Sequence, residues 1–246
     1  MDTVARVCRE ERQSVEIPPG FFVDWYSGHG RWFPWRDSNT TPFGIVIAEV
    51  LLRQTRAETV AGVWPALMKC YHDAPTLADA DPKVLLSLVS PLGFGNQRSQ
   101  ALLSLARQLT RLKKLPSEIE ELIELPHIGL YSAHAIACFA FGQRVPVVDL
   151  NVIRVISRVT GIDPPKDIRR APRIWALAWS MLPKKDVVEH NFGLLDFAAT
   201  ICKPRGPKCT DCQLASRCAF LALRGSRRQP VDANSGEGLR LGEQDE

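Results

Sequence analysis

Two carboxyl residues stand where a folding chain has no obvious use for them. In PFGIVIAEVLLRQTRAETV, Glu49 interrupts the apolar run from Ile45 to Leu52. In FGQRVPVVDLNVIRVISR, Asp149 is the only acid, flanked by Val147, Val148, Leu150 and Val152. A lone carboxyl on an apolar helix is desolvated, which raises its pKa and favours the protonated form. An aspartate that caps the helix carrying Val152, Val155 and Ile156 stays ionised instead, held by the helix dipole and by N–H donors. Such a fixed anion can stabilise positive charge developing beside it. One acid kept neutral and another kept charged is how a fold runs glycosidic-bond chemistry near neutral pH. The bland alternatives are a plain N-cap for Asp149 and a buried ion pair between Glu49 and an arginine such as Arg36.

A second chemistry-bearing set is Cys202, Cys209, Cys212 and Cys218, spaced C-x6-C-x2-C-x5-C within CKPRGPKCTDCQLASRC. In a cytosolic chain four thiols this close read as a metal site, since disulfides are not expected there. The spacing suits a tetrahedral zinc and an iron–sulfur cluster equally. Lys203, Arg205 and Lys208 lie on the loop between the first two cysteines. They are either ordinary solvated charges or, on a loop pinned by metal, a phosphate grip. Cys8, Cys70 and Cys138 are unclustered, and Cys138 belongs to an apolar helix and hence to the core.

Stepping between two helical segments, residues 125–133 read LPHIGLYSA. The turn is short, and the helix after it begins near Leu130. Its free N–H groups and dipole make a ready phosphate site, the rival being a simple helix–turn–helix contact.

The elements that must carry these residues are helices. Apolar residues recur at three- and four-residue spacing in VLLSLV, ALLSLARQL, IEELIEL and AHAIACFAF, and almost nothing alternates with period two. Pro75, Pro82, Pro91, Pro116, Pro126, Pro146, Pro164 and Pro183 mark short connections. An all-α protein follows. Its 246 residues, 45% hydrophobic and 24% charged, allow one large core or two that share an interface. No run is long enough to cross a bilayer and the N-terminus carries no signal-peptide pattern, so a cytoplasmic location is expected. Net charge is +4, yet the last sixteen residues hold five acids and one arginine, a net of −4, which leaves about +8 on the rest. A body that basic suits a polyanion. Residues 225–246 have the composition of a flexible tail.

Together these segments resemble the helix-hairpin-helix DNA glycosylases of the endonuclease III superfamily, over roughly residues 18 to 224. LPHIGLYSA is similar to the family's hairpin, VVDLNVIRV to its catalytic segment, and the cysteine spacing to its 4Fe-4S loop. RWFPWR, TPFGIVIAEVLLRQT and HNFGLLDFAATIC look like segments of the MutY adenine glycosylases and of the Mig-type thymine glycosylases that act on T opposite G. The resemblance implies an N-terminal extension over 1–17 and a six-helix barrel over 33–143, with the hairpin at 117–141. It implies a second helical domain from 18–32 and 144–224 that carries a 4Fe-4S cluster, and an active-site cleft between the two.

Carried over by position, the resemblance implies that Asp149 is the catalytic aspartate, supported by Asn151, and that Glu49 assists departure of the base. Tyr131 lies where bifunctional members have their Schiff-base lysine, so base removal without strand cutting is expected. Arg31, Trp35 and Arg36 match residues lining the base pocket, and Gln54 and Phe94 match residues that wedge into the duplex. His127, Ile128 and Gly129 of the hairpin, with Tyr131, join Lys203, Arg205 and Lys208 as expected DNA contacts. His127 replaces a glycine, so a histidine at positive φ is expected. VDLN stands for the MutY pattern VDGN and LRQT for LQQT, and no oxoguanine-reading domain is expected after the cysteines. These departures lean towards T or U opposite G rather than A opposite 8-oxoguanine. The expected partner is mismatched double-stranded DNA, bound by a monomer. A protein that binds DNA structure without catalysis is the rival of another class.

Overall fold

The computed structural model describes residues 17–18, 20–165, 167 and 171–226. The expected N-terminal extension with Cys8, except Ile17, and the tail from 227 onward lie outside the described residues. Among the described residues there are twelve α-helices and no strand. In chain order they are α1 (Phe21–His29), α2 (Pro42–Leu51), α3 (Ala57–Cys70), α4 (Ala74–Ala78), α5 (Pro82–Val89), α6 (Gly95–Leu112), α7 (Ile119–Ile123), α8 (Leu130–Phe141), α9 (Leu150–Thr160), α10 (Pro172–Met181), α11 (Val187–Thr200) and α12 (Ala219–Ser226).

Local chemistry sets their starts. Thr41 accepts from the Gly44 N–H at 3.2 Å with Pro42 in the first turn of α2, and Asp81 accepts from Lys83 and Val84 ahead of α5. Each side-chain cap satisfies N–H groups that have no partner within the helix, worth about 1 kcal/mol. Asp73 forms a reciprocal capping box with Thr76 at the head of α4. Gly142 and Gly161 end α8 and α9 in the left-handed conformation (φ 65 and 76), which costs glycine nothing.

The apolar side chains collect in two clusters. One is built on α2 and α8, both buried along most of their length, and on faces of α3 to α7. The other joins α1 to α9, α10 and α11, so the two ends of the described chain share a core. Adjacent valines divide between them: Val147 packs in the first and Val148 in the second. Asp149 is the next residue. The α1 and α11 backbones approach so closely that a Cβ on Gly193 would fall 2.1 Å from the Phe22 carbonyl oxygen.

Candidate active site

Asp149 is the N-cap of α9. Its Oδ1 accepts from the N–H groups of Asn151 (2.8 Å) and Val152 (2.7 Å), and its Oδ2 accepts from Asn151 Nδ2 at 2.6 Å. Three donors at a helix N-terminus fix the carboxylate in place, and the residue remains half-buried rather than enclosed. The segment leading to it is pinned from two sides. Asn191, buried on α11, accepts from the Val147 N–H (2.9 Å) and donates to the carbonyls of Val145 (3.1 Å) and Val187 (2.9 Å). The His134 ring meets the Pro146 carbonyl at 2.9 Å. Asn191 lies in HNFGLLDFAATIC, a segment noted only for its resemblance, and nothing in its residue type announced this role.

Glu49 faces the same region from α2. It is buried, its Oε2 has no hydrogen-bond partner among the described residues, and burial pushes its carboxyl up to about 8. The Arg36 guanidinium pulls against that rise and the Asp149 carboxylate adds to it. Tyr131, in the first turn of α8, is pushed well above its ordinary range, first by desolvation and then by Glu49 and Asp149. Asp149 and Arg36, distant in sequence, thus lie near enough to both Glu49 and Tyr131 to bear on their ionisation.

Arg36 does not pair with Glu49 by hydrogen bond. It donates to both oxygens of Asp196 (2.7 and 3.1 Å), whose side chain is fully buried, and it stacks over the Phe192 ring at 4.1 Å. Arg31 binds the same carboxylate through its backbone N–H and its guanidinium, and reaches Glu58 at 3.2 Å. Trp35 is buried and stacked on Phe33 at 5.0 Å. Arg31 and Arg36 are thereby tied to α11, while Trp35 packs on Phe33 and, edge-on, on Trp64 of α3 at 6.5 Å. Asp196, also missed in the sequence, carries the same signal as Glu49, an acid within an apolar helix.

A groove of about 330 Å³ opens beside the hairpin, lined by Val50, Gln54, Phe94, Gln97, Ala101 and His127 with two arginines, Arg53 and Arg98. Gln54 (φ 56), Phe94 (φ 53) and His127 (φ 65) all adopt the left-handed conformation, as expected for His127. For side chains with a Cβ that costs roughly 1–2 kcal/mol each and persists only where the surroundings impose it. Phe94 is 67% exposed, while Gln54, His127 and Gly129 are exposed and Ile128 is buried under the turn. Gly129 precedes α8 without a side-chain cap, leaving backbone N–H groups at the turn.

Around the cysteines, Arg158 on α9 donates to the carbonyls of Lys203 (2.7 Å) and Pro204 (3.1 Å), and Arg154 to that of Cys202 (2.8 Å). Cys202, Cys209, Cys212 and Cys218 are half-buried, and Cys202, Cys209 and Cys218 add to the upward push that burial gives the Cys212 thiol. Among the described residues no group of three or more His, Cys, Asp or Glu side chains is arranged to hold a metal ion. Arg205 and Lys208 are exposed and Lys203 half-exposed on this loop. Cys138 is fully buried, as expected of a core residue.

The turn between α7 and α8 makes this a helix-hairpin-helix protein, with two carboxyls of opposed character beside the hairpin. The family model described as HhH-GPD superfamily base excision DNA repair protein matches residues 47–177, from Glu49 through the hairpin and Asp149. The chain belongs to that superfamily. A thymine-DNA glycosylase of Aeropyrum pernix is 34% identical over 204 residues, covering 80% of this chain and 91% of that protein. A thymine/uracil-DNA glycosylase of Pyrobaculum aerophilum is also 34% identical, covering 82% and 90%. An adenine DNA glycosylase of Mycobacterium tuberculosis is 34% identical over 77% of this chain but 63% of its own length. Among solved structures, a thermostable thymine-DNA glycosylase superposes with a TM-score of 0.77 at 30% identity, over 82% of this chain and 94% of that one. Endonuclease III in a non-covalent complex with DNA has the same fold, with a TM-score of 0.71 at 21% identity over 84% and 95%. No described helix is long and apolar enough to cross a membrane.

Proposed function

We propose that this protein is a monofunctional DNA glycosylase of base excision repair that removes T or U mispaired with G from cytoplasmic DNA. The observation that carries the reading is the opposed pair: Glu49 buried and raised to about 8, Asp149 held by three donors, with Tyr131 beside both. The preference for thymine or uracil is supported by relatives of those names that match over nine-tenths of their length.

In this reading the hairpin N–H groups and the cations of the cysteine loop hold phosphates. The target nucleotide rotates out of the stack at a cost of a few kcal/mol, least for a mismatch. Gln54 and Phe94 enter the space it leaves. The N-glycosidic bond then breaks with its electron pair going to the base. Glu49, protonated near neutral pH, supplies a hydrogen bond or proton to that leaving group, and Tyr131 shapes its pocket with Arg31, Trp35 and Arg36. The Asp149 carboxylate stabilises positive charge on the sugar and orients the water that adds to C1′, receiving its proton. Tyr131 offers no amine, so no Schiff base forms.

The reading includes a 4Fe-4S cluster on Cys202, Cys209, Cys212 and Cys218. What supports it is the donor set, four half-buried thiols on one loop with C-x6-C-x2-C-x5-C spacing, a set that thiolate-ligated clusters use. When bound, the cluster pins the loop that presents Lys203, Arg205 and Lys208. Iron and sulfide analysis of the purified protein tests it against zinc.

The function is tested by incubating labelled duplexes bearing G·T, G·U or A·8-oxoguanine with the enzyme and cleaving abasic sites with alkali. Cutting at G·T and G·U is expected. Cutting at A·8-oxoguanine alone would make it an adenine glycosylase, as the mycobacterial relative is named, and no cutting would make it a DNA-structure-binding protein. Asp149→Asn is expected to bind DNA and excise nothing, and borohydride to trap no covalent complex.

A further inference from the structure

Arg98 is an arginine buried to 8% exposure on α6, and its guanidinium donates to backbone and hydroxyl acceptors at the end of α2, in the turn after it and in the turn before α6. Its Nε donates to the Gly93 carbonyl at 2.8 Å, its Nη1 to the Leu51 carbonyl at 3.1 Å, and its Nη2 to the Arg53 carbonyl at 3.1 Å and to Thr55 Oγ1 at 2.5 Å. These acceptors bracket two residues. Arg53 and Thr55 stand on either side of Gln54, and Gly93 immediately precedes Phe94. Both bracketed residues are exposed, left-handed and on the same groove. The third left-handed residue there, His127, is tied in by Arg53, whose Nη1 donates to the His127 carbonyl at 2.9 Å.

We infer that Arg98 is a positioning residue that holds Gln54 and Phe94 preformed at one spacing, so that both enter a gap in duplex DNA without first being ordered. The inference rests on the proposed function, in which these two side chains replace a rotated-out nucleotide. The chemistry suits arginine alone. A planar fork with fixed donor directions spans acceptors in two loops, whereas a lysine is a point charge that would satisfy only some of them. Side chains held before binding lose little freedom on insertion, and that difference appears as affinity for the gapped duplex. The left-handed conformations agree with this, because backbone of that kind survives only under such multiple restraint.

The test compares full-length wild type with Arg98→Lys by fluorescence anisotropy. One probe is an undamaged duplex, and the other the same duplex with a tetrahydrofuran abasic analogue opposite guanine. Wild type is expected to prefer the gapped duplex by roughly 5- to 100-fold, the range of aromatic stacking on a base. In Arg98→Lys the preference should shrink towards one, chiefly through weaker binding of the gapped probe. Thr55→Val removes a single acceptor and should reduce the preference by a smaller factor; it carries the test if Arg98→Lys does not fold. A wild-type ratio in the variants, even with both affinities lowered together, would make Arg98 a residue of the fold only and overturn the inference. So would a wild type without preference for the gap. A wild type that prefers the gap but excises no base from any mismatch would sink the glycosylase reading and leave the clamp standing.

Discussion

Asn151 donates its side-chain amide to Asp149 Oδ2 at 2.6 Å, and its own Oδ1 accepts from Arg154 Nη1 at 2.8 Å. Arg154 is in turn fixed to the carbonyls of Ala198 (2.9 Å) and Cys202 (2.8 Å). The orientation of the carboxylate is thereby linked to the first cysteine of the loop. A hydrogen bond to a charged group is worth about 1.5–3 kcal/mol. Asn151→Ala is therefore expected to slow single-turnover base excision roughly 10- to 100-fold while leaving DNA affinity near that of wild type. Arg154→Met should give a smaller slowing in the same direction. An unchanged rate in Asn151→Ala would mean that the two backbone donors suffice.

Glu49 predicts a pH dependence of both activity and stability. Its carboxyl is raised from 4.5 to about 8, chiefly by desolvation, so the acid form is present through neutrality and excision should fall as pH rises through about 8. For stability the folded value lies above the unfolded one. The contribution is complete below 4.5 and is lost as pH climbs to about 8, because the unfolded chain releases the proton more readily. Glu49→Gln keeps the shape and removes the titration. Its melting temperature should gain on that of wild type as pH rises from 4.5 to about 8 and the difference should level off above that, while excision drops roughly 10²- to 10⁴-fold, the usual worth of a general acid. A variant no more stable than wild type at pH 8 would show that the carboxyl is solvated.

What the sequence made legible follows from how local each signal is. A carboxyl among valines marks Asp149 and Glu49 because an apolar run offers it no solvent. The N-cap of α9 needs only the next three residues. Asp196 carries the same local signal as Glu49, yet it meets two guanidiniums from 165 and 160 residues away, while Glu49 meets none by hydrogen bond. Only the packing of α1 and its following loop on α11 decides which acid is neutralised and which is raised. Arg98 was equally hidden. On an amphipathic helix it reads like Arg107 or Arg111, and its burial depends on where two distant turns end.

His190 predicts a loss of stability on the acid side. It is buried on α11 against the Phe22 ring at 5.5 Å, its Nδ1 has no partner among the described residues, and burial pushes it down from 6.5 to about 4. Here the folded value lies below the unfolded one. The unfolded chain binds the proton first, so stability is lost as pH falls from 6.5 towards about 4, by on the order of 3 kcal/mol. His190→Phe keeps the edge-on ring contact without the titration. Urea melts at pH 5 should show the variant gaining on wild type, and equal pH slopes for the two would assign the acid loss to other groups.

Gly193 tests whether the α1–α11 contact supports the site as well as the fold. A Cβ there would lie 2.1 Å from the Phe22 oxygen, 2.9 Å from the Phe22 carbonyl carbon and 3.1 Å from Tyr26 Cβ. Two of those atoms are backbone, so the helices must separate. Gly193→Ala should cost about 1–3 kcal/mol, the usual penalty for overpacking, and lower the melting temperature by several degrees. Gly28 is the control on the same helix pair: an added Cβ there has nothing within 4 Å, so Gly28→Ala should be neutral or stabilise by up to about 1 kcal/mol. Phe192 and Asp196 flank Gly193 on α11 and hold Arg36, which faces Glu49. Moving α11 displaces that charge from the buried carboxyl, so the alkaline limb of the excision profile should shift upward in Gly193→Ala and stay in place in Gly28→Ala. A loss of stability with the limb unmoved would confine the close approach to the fold.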